Sequence, residues 1–125
     1  MSKKESILAN RLRSIGYALK GALLLIKTEA SIQVQFATGL IATAAGFFFN
    51  ISKQEWLAQI FAIGLVMSIE GLNTAIEEVA NFIHPEQHKK IGRIKDIAAG
   101  AVFIAAIFAT IIGFIIYLPK ILKYF

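Results

Sequence analysis

The chain has 125 residues, 57% of them hydrophobic, a mean hydropathy of +0.66 and a formal net charge of +5. Its apolar residues fall in long blocks, which describes one domain in a bilayer and argues against a water-soluble globule. The basic residues flank those blocks and form no stripe with interleaved aromatics, which argues against nucleic acid as a partner; with no cysteine there is no disulfide framework, thiolate nucleophile or cysteine-ligated zinc.

The first element, residues 1–28, reads as an amphipathic helix. Leu8, Leu12, Ile15, Leu19, Ala22 and Ile26 recur at spacings of four and three, while Arg13, Lys20 and Lys27 fall seven apart on another face. Such a helix is expected to lie along the headgroup layer, apolar face down and cations toward anionic lipid. Residues 1–27 carry six Lys/Arg but no continuous apolar core and no small-residue cleavage site, so the N-terminus is expected to stay in the mature protein.

Three membrane helices follow, giving an all-α integral membrane fold. The first, residues 31–49, is uncharged and ends in Phe47-Phe48-Phe49; Asn50 to Gln54 makes the turn. Trp56 opens the second, residues 56–80, and residues 82–96 form a polar loop in which Pro85 breaks the helix. The third, residues 97–117, has 21 residues without a charge, enough to cross a hydrocarbon core of about 30 Å. Six Lys/Arg precede the first span and four lie in the 82–96 loop, against one in the first turn and two at the C-terminus. The excess of positive charge places the N-terminus and the 82–96 loop in the cytoplasm and the C-terminus outside.

The second span carries the chemistry. At about 100° per residue, Glu70, Asn73, Thr74, Glu77 and Asn81 share one helix face. With Trp56 at the outer interface, a rise of about 1.5 Å per residue sets Glu70 about 21 Å inward, still within hydrocarbon, and Glu77 about 31 Å inward, at the cytosol. An acid inside a span costs about 2.5 to 3.5 kcal/mol on insertion scales and usually faces a bundle interior or a pathway. Glu78 points off the strip and reads as an interfacial side chain reaching for water. Glu29, between the surface helix and the first span, shares the cytoplasmic layer with Glu77, and oxygen ligands of this kind suit Mg²⁺ together with substrate phosphates. Glu86, His88, Lys89, Lys90, Arg93, Lys95 and Asp96 crowd before the third span, whose N-terminal end also favours anions, so a cytoplasmic nucleotide is expected there without a glycine-rich P-loop. A small transporter using an intramembrane Glu is the alternative, although it would place that acid nearer the midplane. A purely structural membrane protein would leave the strip without purpose.

The run Glu70-Gly71-Leu72-Asn73-Thr74-Ala75-Ile76-Glu77, with Pro85-Glu86-Gln87-His88 and Lys95-Asp96-Ile97-Ala98-Ala99-Gly100-Ala101-Val102, resembles the prokaryotic diacylglycerol kinase family, which includes undecaprenol kinases. Gly16-Tyr17, Lys20-Gly21 and Glu29 extend the likeness across nearly the whole chain. The resemblance implies a homotrimer in the bacterial inner membrane, with active sites shared between subunits. Each would transfer the γ-phosphate of ATP, with Mg²⁺, to a lipid alcohol, diacylglycerol or undecaprenol. It implies Glu70 as general base and lipid contact, and Asn73 as a site amide. Glu29 and Glu77 become metal ligands that also meet the nucleotide; Tyr17, Glu86, His88, Lys95 and Asp96 are nucleotide contacts, and Ala99 a lipid contact. Asn10 and Ala99 stand where the diacylglycerol branch has Arg and Ser, Gln35 and Asn81 stand where acids are common, and the Ala98-Ala99-Gly100-Ala101 run looks more like the undecaprenol branch. Small residues at Ala101, Ala105, Ala109 and Gly113, and at Gly39 and Thr43, are expected to let helices approach closely, within one chain or between chains.

Overall fold

Long apolar segments with few breakers leave the backbone one solution in lipid, which is to satisfy its own hydrogen bonds as helix. The computed structural model describes residues 3–125, with side chains from Ser6 onward, and consists of four helices: α1 (Lys3–Thr28), α2 (Ala30–Phe49), α3 (Lys53–Ile83) and α4 (Lys89–Tyr124). Met1 and Ser2, the start of the expected 1–28 helix, lie outside the described residues. Three of the helices, α2, α3 and α4, are long and apolar enough to cross a membrane.

The junctions have local causes. Glu29 takes an extended conformation (φ −100°, ψ 113°) between α1 and α2, and the Gln33 side-chain amide donates to the Ile26 and Lys27 carbonyls at 3.0 and 3.1 Å, capping the end of α1. Asn50 ends α2 in the left-handed region at φ 50°, which asparagine tolerates better than most residues, and the backbone amides of Asn50 and Ile51 close back on the carbonyls of Phe47 and Gly46. Ser52 then starts α3 with a reciprocal cap: its hydroxyl accepts from the Glu55 amide and its own amide donates to the Glu55 carboxylate. The second membrane helix therefore begins three residues earlier than Trp56 and runs to Ile83, past the expected end at residue 80.

The largest departure from the sequence expectation is the 82–96 segment. Only the five residues between Ile83 and Lys89 are non-helical, and Lys89 to Asp96 form the first two turns of α4. Charge keeps these residues out of hydrocarbon without keeping them out of a helix, and Pro85 is the one proline in the stretch. At about 1.5 Å per residue α4 is about 54 Å long, well beyond the hydrocarbon thickness, so its charged start projects past the bilayer.

Contacts between α2 and α3 pair Gln35 with Glu70, Gly39 with Ile63, Ala42 with Gln59 and Gly46 with Trp56, an antiparallel register. Between α3 and α4 the pairs are Asn81 with Lys95, Gln59 with Tyr117 and Glu55 with Lys120, again antiparallel. The buried apolar residues are mostly small, including Ala62, Ala80, Ala98 and Ala105, as close helix approach requires. Gly46 is needed: a Cβ there would sit 2.5 Å from Trp56 Cη2. Large apolar side chains such as Phe61, Phe103, Phe108 and Ile115 cover the outside of the bundle.

Candidate functional site

The polar strip of α3 divides where the helix leaves the bundle. Glu70, Asn73 and Thr74 are buried, Glu70 and Asn73 at 8% exposure, whereas Glu77, Glu78 and Asn81 are exposed. Thr74 is spent locally, its hydroxyl donating to the Glu70 carbonyl at 3.1 Å. Glu70 has a side-chain partner from the neighbouring helix, the Gln35 amide, which donates to its Oε2 at 3.4 Å. No cation pairs with it: the ion pairs among the described residues are Glu86 with His84 and Glu55 with Lys120. Two buried acceptors in this region, Gln35 Oε1 and Asn73 Oδ1, have no hydrogen-bond partner among the described residues. An unsatisfied buried acceptor costs about 1 to 3 kcal/mol, so a carboxylate and two free oxygens within one turn of α3 and its α2 contact form a surface that wants a donor or a cation.

Residues nearer the charged end follow from the register. Moving from the Gln35–Glu70 contact toward the start of α2 and the end of α3, Ala30 lies about 7.5 Å and Glu77 about 10.5 Å further along their own helices, so Glu29, just before α2, and Glu77 stand at similar height. Leu25 packs on α3 at Gly71, where an added Cβ would meet Leu25 Cδ1 at 3.0 Å, which brings the end of α1 to the strip. Glu29 makes no side-chain cap to α2. Among the described residues no three His, Asp or Glu side chains gather into a ready-made metal cage. Glu29 and Glu77 have no ion-pair partner among the described residues, and Mg²⁺ commonly takes only one or two protein carboxylates and fills its remaining positions with phosphate and water. On α4, the same register sets Ala99 level with Glu77, next to the buried Ala98.

The link and the start of α4 hold the remaining candidate residues. His88 begins α4, its Nδ1 accepting from the Lys90 amide at 3.1 Å, and His84 ends α3, its ring lying 5.2 Å from that of His88. Glu86 is exposed and sits 3.8 Å from His84. An open cleft of about 490 Å³ is lined by Glu86, His88, Lys89, Gly92 and Lys95 among others. Lys95 is half-buried and donates to Asn81 Oδ1 at 2.6 Å, joining the ends of α3 and α4, while Asp96 is exposed beside it. Tyr17 is 68% exposed on α1.

Residues 16–117 match the sequence model of the prokaryotic diacylglycerol kinase family. The chain belongs to that family. It is 36% identical over 109 residues to the undecaprenol kinase of Bacillus subtilis, covering 87% of this chain and 89% of the relative. It is 33% identical over 102 residues to the diacylglycerol kinase of Haemophilus influenzae, covering 82% and 86%, and 33% identical over 100 residues to that of Escherichia coli K12, covering 80% and 82%. Membership in a lipid kinase family decides against the transporter reading, and with three membrane-length helices it makes this a membrane-bound lipid kinase.

Sequence reasoning passed over one group of residues. At the opposite end of the bundle, Gln59 is 5% exposed and donates to the Ala42 carbonyl at 3.1 Å, while the Tyr117 hydroxyl reaches both that carbonyl and Gln59 Oε1. Lys120 Nζ donates to Glu55 Oε2 at 2.6 Å and to the Ile116 carbonyl at 3.0 Å. This knot ties α2, α3 and α4 together, and one sequence signal for part of it was present in the Ser52-x-x-Glu55 cap.

Proposed function

We propose that this kinase transfers the γ-phosphate of ATP to the hydroxyl of a membrane lipid alcohol, diacylglycerol or undecaprenol, at the cytoplasmic edge of the bilayer. The observation that carries the reading is Glu70: a carboxylate with no cation partner among the described residues, buried on a membrane helix with acceptors at Asn73 and Gln35 likewise unpartnered among them. A hydroxyl group offers the donor this surface lacks. Glu70 accepts the hydroxyl proton as the lipid oxygen bonds to the γ-phosphorus, the bond to the β-phosphate oxygen breaks, and ADP leaves with the electron pair. The Gln35 amide holds the Glu70 carboxylate, and Asn73 positions the reacting hydroxyl.

Glu29 and Glu77 would hold Mg²⁺, which when bound neutralises charge on the phosphates. Tyr17, Glu86, His88, Lys95 and Asp96 contact the nucleotide, and Ala99 lies against the lipid. Because phosphoryl transfer asks mainly for positioning and charge neutralisation, the cleft at the start of α4 can serve without a P-loop. In this reading α1 lies on the cytoplasmic headgroups of the bacterial inner membrane, the N-terminus and the α3–α4 link are cytoplasmic, and the C-terminus is outside. We also propose a homotrimer, in which Tyr17 reaches the site of a neighbouring copy. Part of the small-residue pattern is used inside the chain, since Gly39 packs on Ile63 and Ala105 is buried, while Gly113 has open space beside it for a second copy.

The test is phosphate transfer by purified protein in mixed micelles, with diacylglycerol and undecaprenol compared side by side and Mg²⁺ varied. Mg²⁺-dependent formation of a lipid phosphate from one of the two is expected. ATP hydrolysis without any lipid product, or transfer indifferent to Mg²⁺, would overturn the reading.

A further inference from the structure

Lys95 is the cation of the α4 cleft whose head is held by a side chain of another helix. Lys95 lines the cleft with Glu86 and His88, and its ammonium donates to Asn81 Oδ1 at 2.6 Å, fourteen residues back in the sequence and across the α3–α4 link. Asn81 itself does not line the cleft. A free lysine head on a four-carbon stem samples many rotamers, and fixing it before a ligand arrives removes that ordering from the binding step. An ammonium has three donors, so one spent on Asn81 leaves two for an incoming anion.

We propose that Asn81 is a positioning residue that holds the Lys95 ammonium in place for nucleotide phosphate. The inference rests on the reading of Lys95 as a phosphate contact and adds a second residue that acts only through it. Asn81 lies on the same face of α3 as Glu70, Asn73 and Glu77, so one helix face would align the base, the metal ligand and, through Lys95, the phosphate. A helix-end staple with no role in binding would instead act on stability and leave KM for Mg-ATP unchanged.

Four full-length proteins decide it in the mixed-micelle assay, with Mg-ATP titrated and melting temperature recorded: Asn81→Leu, Asn81→Asp, Lys95→Met and the Asn81→Leu/Lys95→Met double variant. Asn81→Leu is expected to raise KM for Mg-ATP about tenfold, as loss of a charge-assisted hydrogen bond does, with kcat changed less than about threefold. Asn81→Asp keeps an acceptor and is expected to retain KM within about threefold of the parent. In the Lys95→Met background Asn81→Leu should add nothing, because the group it positions is gone. Asn81 is exposed, so these changes are tolerable to the fold, and Asn81→Ala takes the place of Asn81→Leu should the latter not fold. An unchanged KM in Asn81→Leu while Lys95→Met is impaired, or effects that multiply in the double variant, would overturn the proposal alone. An unimpaired Lys95→Met, or a parent that phosphorylates no lipid alcohol, would remove the reading beneath it as well.

Discussion

Two groups of polar side chains sit in this bundle, one near each end, and they differ in how completely they are paired. In the knot at the α2–α3 turn, Gln59, Tyr117, Glu55 and Lys120 satisfy one another and two backbone carbonyls, the Glu55–Lys120 pair at 2.6 Å. Toward the start of α2, Glu70 has a single amide at 3.4 Å from another helix, and Gln35 Oε1 and Asn73 Oδ1 have no partner among the described residues. Polar groups that serve the fold find partners within it, because leaving them unpaired in lipid is costly. Groups left open at a buried position carry that cost for something that comes and goes.

The strongest way to break this contrast is Glu70→Gln. Removing a general base typically costs 10²- to 10⁴-fold, so turnover is expected to fall by about that factor with Mg-ATP binding and melting temperature largely unchanged, measured by phosphate transfer, nucleotide titration and thermal unfolding. Retained turnover would show that the open carboxylate is not the base. Glu77→Ala comes next, with Mg²⁺-dependent nucleotide binding weakened by about tenfold or more, read by titrating Mg²⁺ at fixed ATP. A metal dependence identical to the parent would move the ligand elsewhere.

Substitutions at the other end should act on stability alone. Gly46→Ala drives a methyl into Trp56 and is expected to cost about 1 to 3 kcal/mol in unfolding measurements, with kcat per folded molecule preserved. Lys120→Met breaks the Glu55 pair, whose side chains are 26% and 27% exposed, and should cost about 0.5 to 1 kcal/mol. A loss of catalysis in either variant, beyond the loss of folded protein, would mean that the two ends are coupled.

The two groups also differ in how readable they are. Glu70, Asn73 and Glu77 stand out in sequence because an acid and an amide at helical spacing inside an apolar run have no cheap explanation, and the helix period alone puts them on one face. Gln59, Tyr117, Glu55 and Lys120 each look like ordinary residues of a membrane interface. Their pairing depends on the antiparallel register of α3 against α4, which local sequence does not specify. The same limit hid the Gln35–Glu70 and Asn81–Lys95 contacts: both residues were visible as departures from a family pattern, yet their partners lie 35 and 14 positions away. The misread 82–96 segment has a different cause, since Lys, Arg and Asp signal water and say little against helix.

The most direct test sets one amide from each end against the other, Asn73→Leu and Gln59→Leu, with melting temperature and lipid phosphorylation measured on both. Asn73→Leu removes an unpaired buried acceptor, so the melting temperature should hold or rise while phosphorylation is lost. Gln59→Leu removes one of the two acceptors of Tyr117 and should lower stability by about 1 kcal/mol while turnover per folded molecule holds. If Asn73→Leu instead unfolds the protein, or Gln59→Leu abolishes phosphorylation in a protein that remains folded, the division of labour between the two ends is wrong.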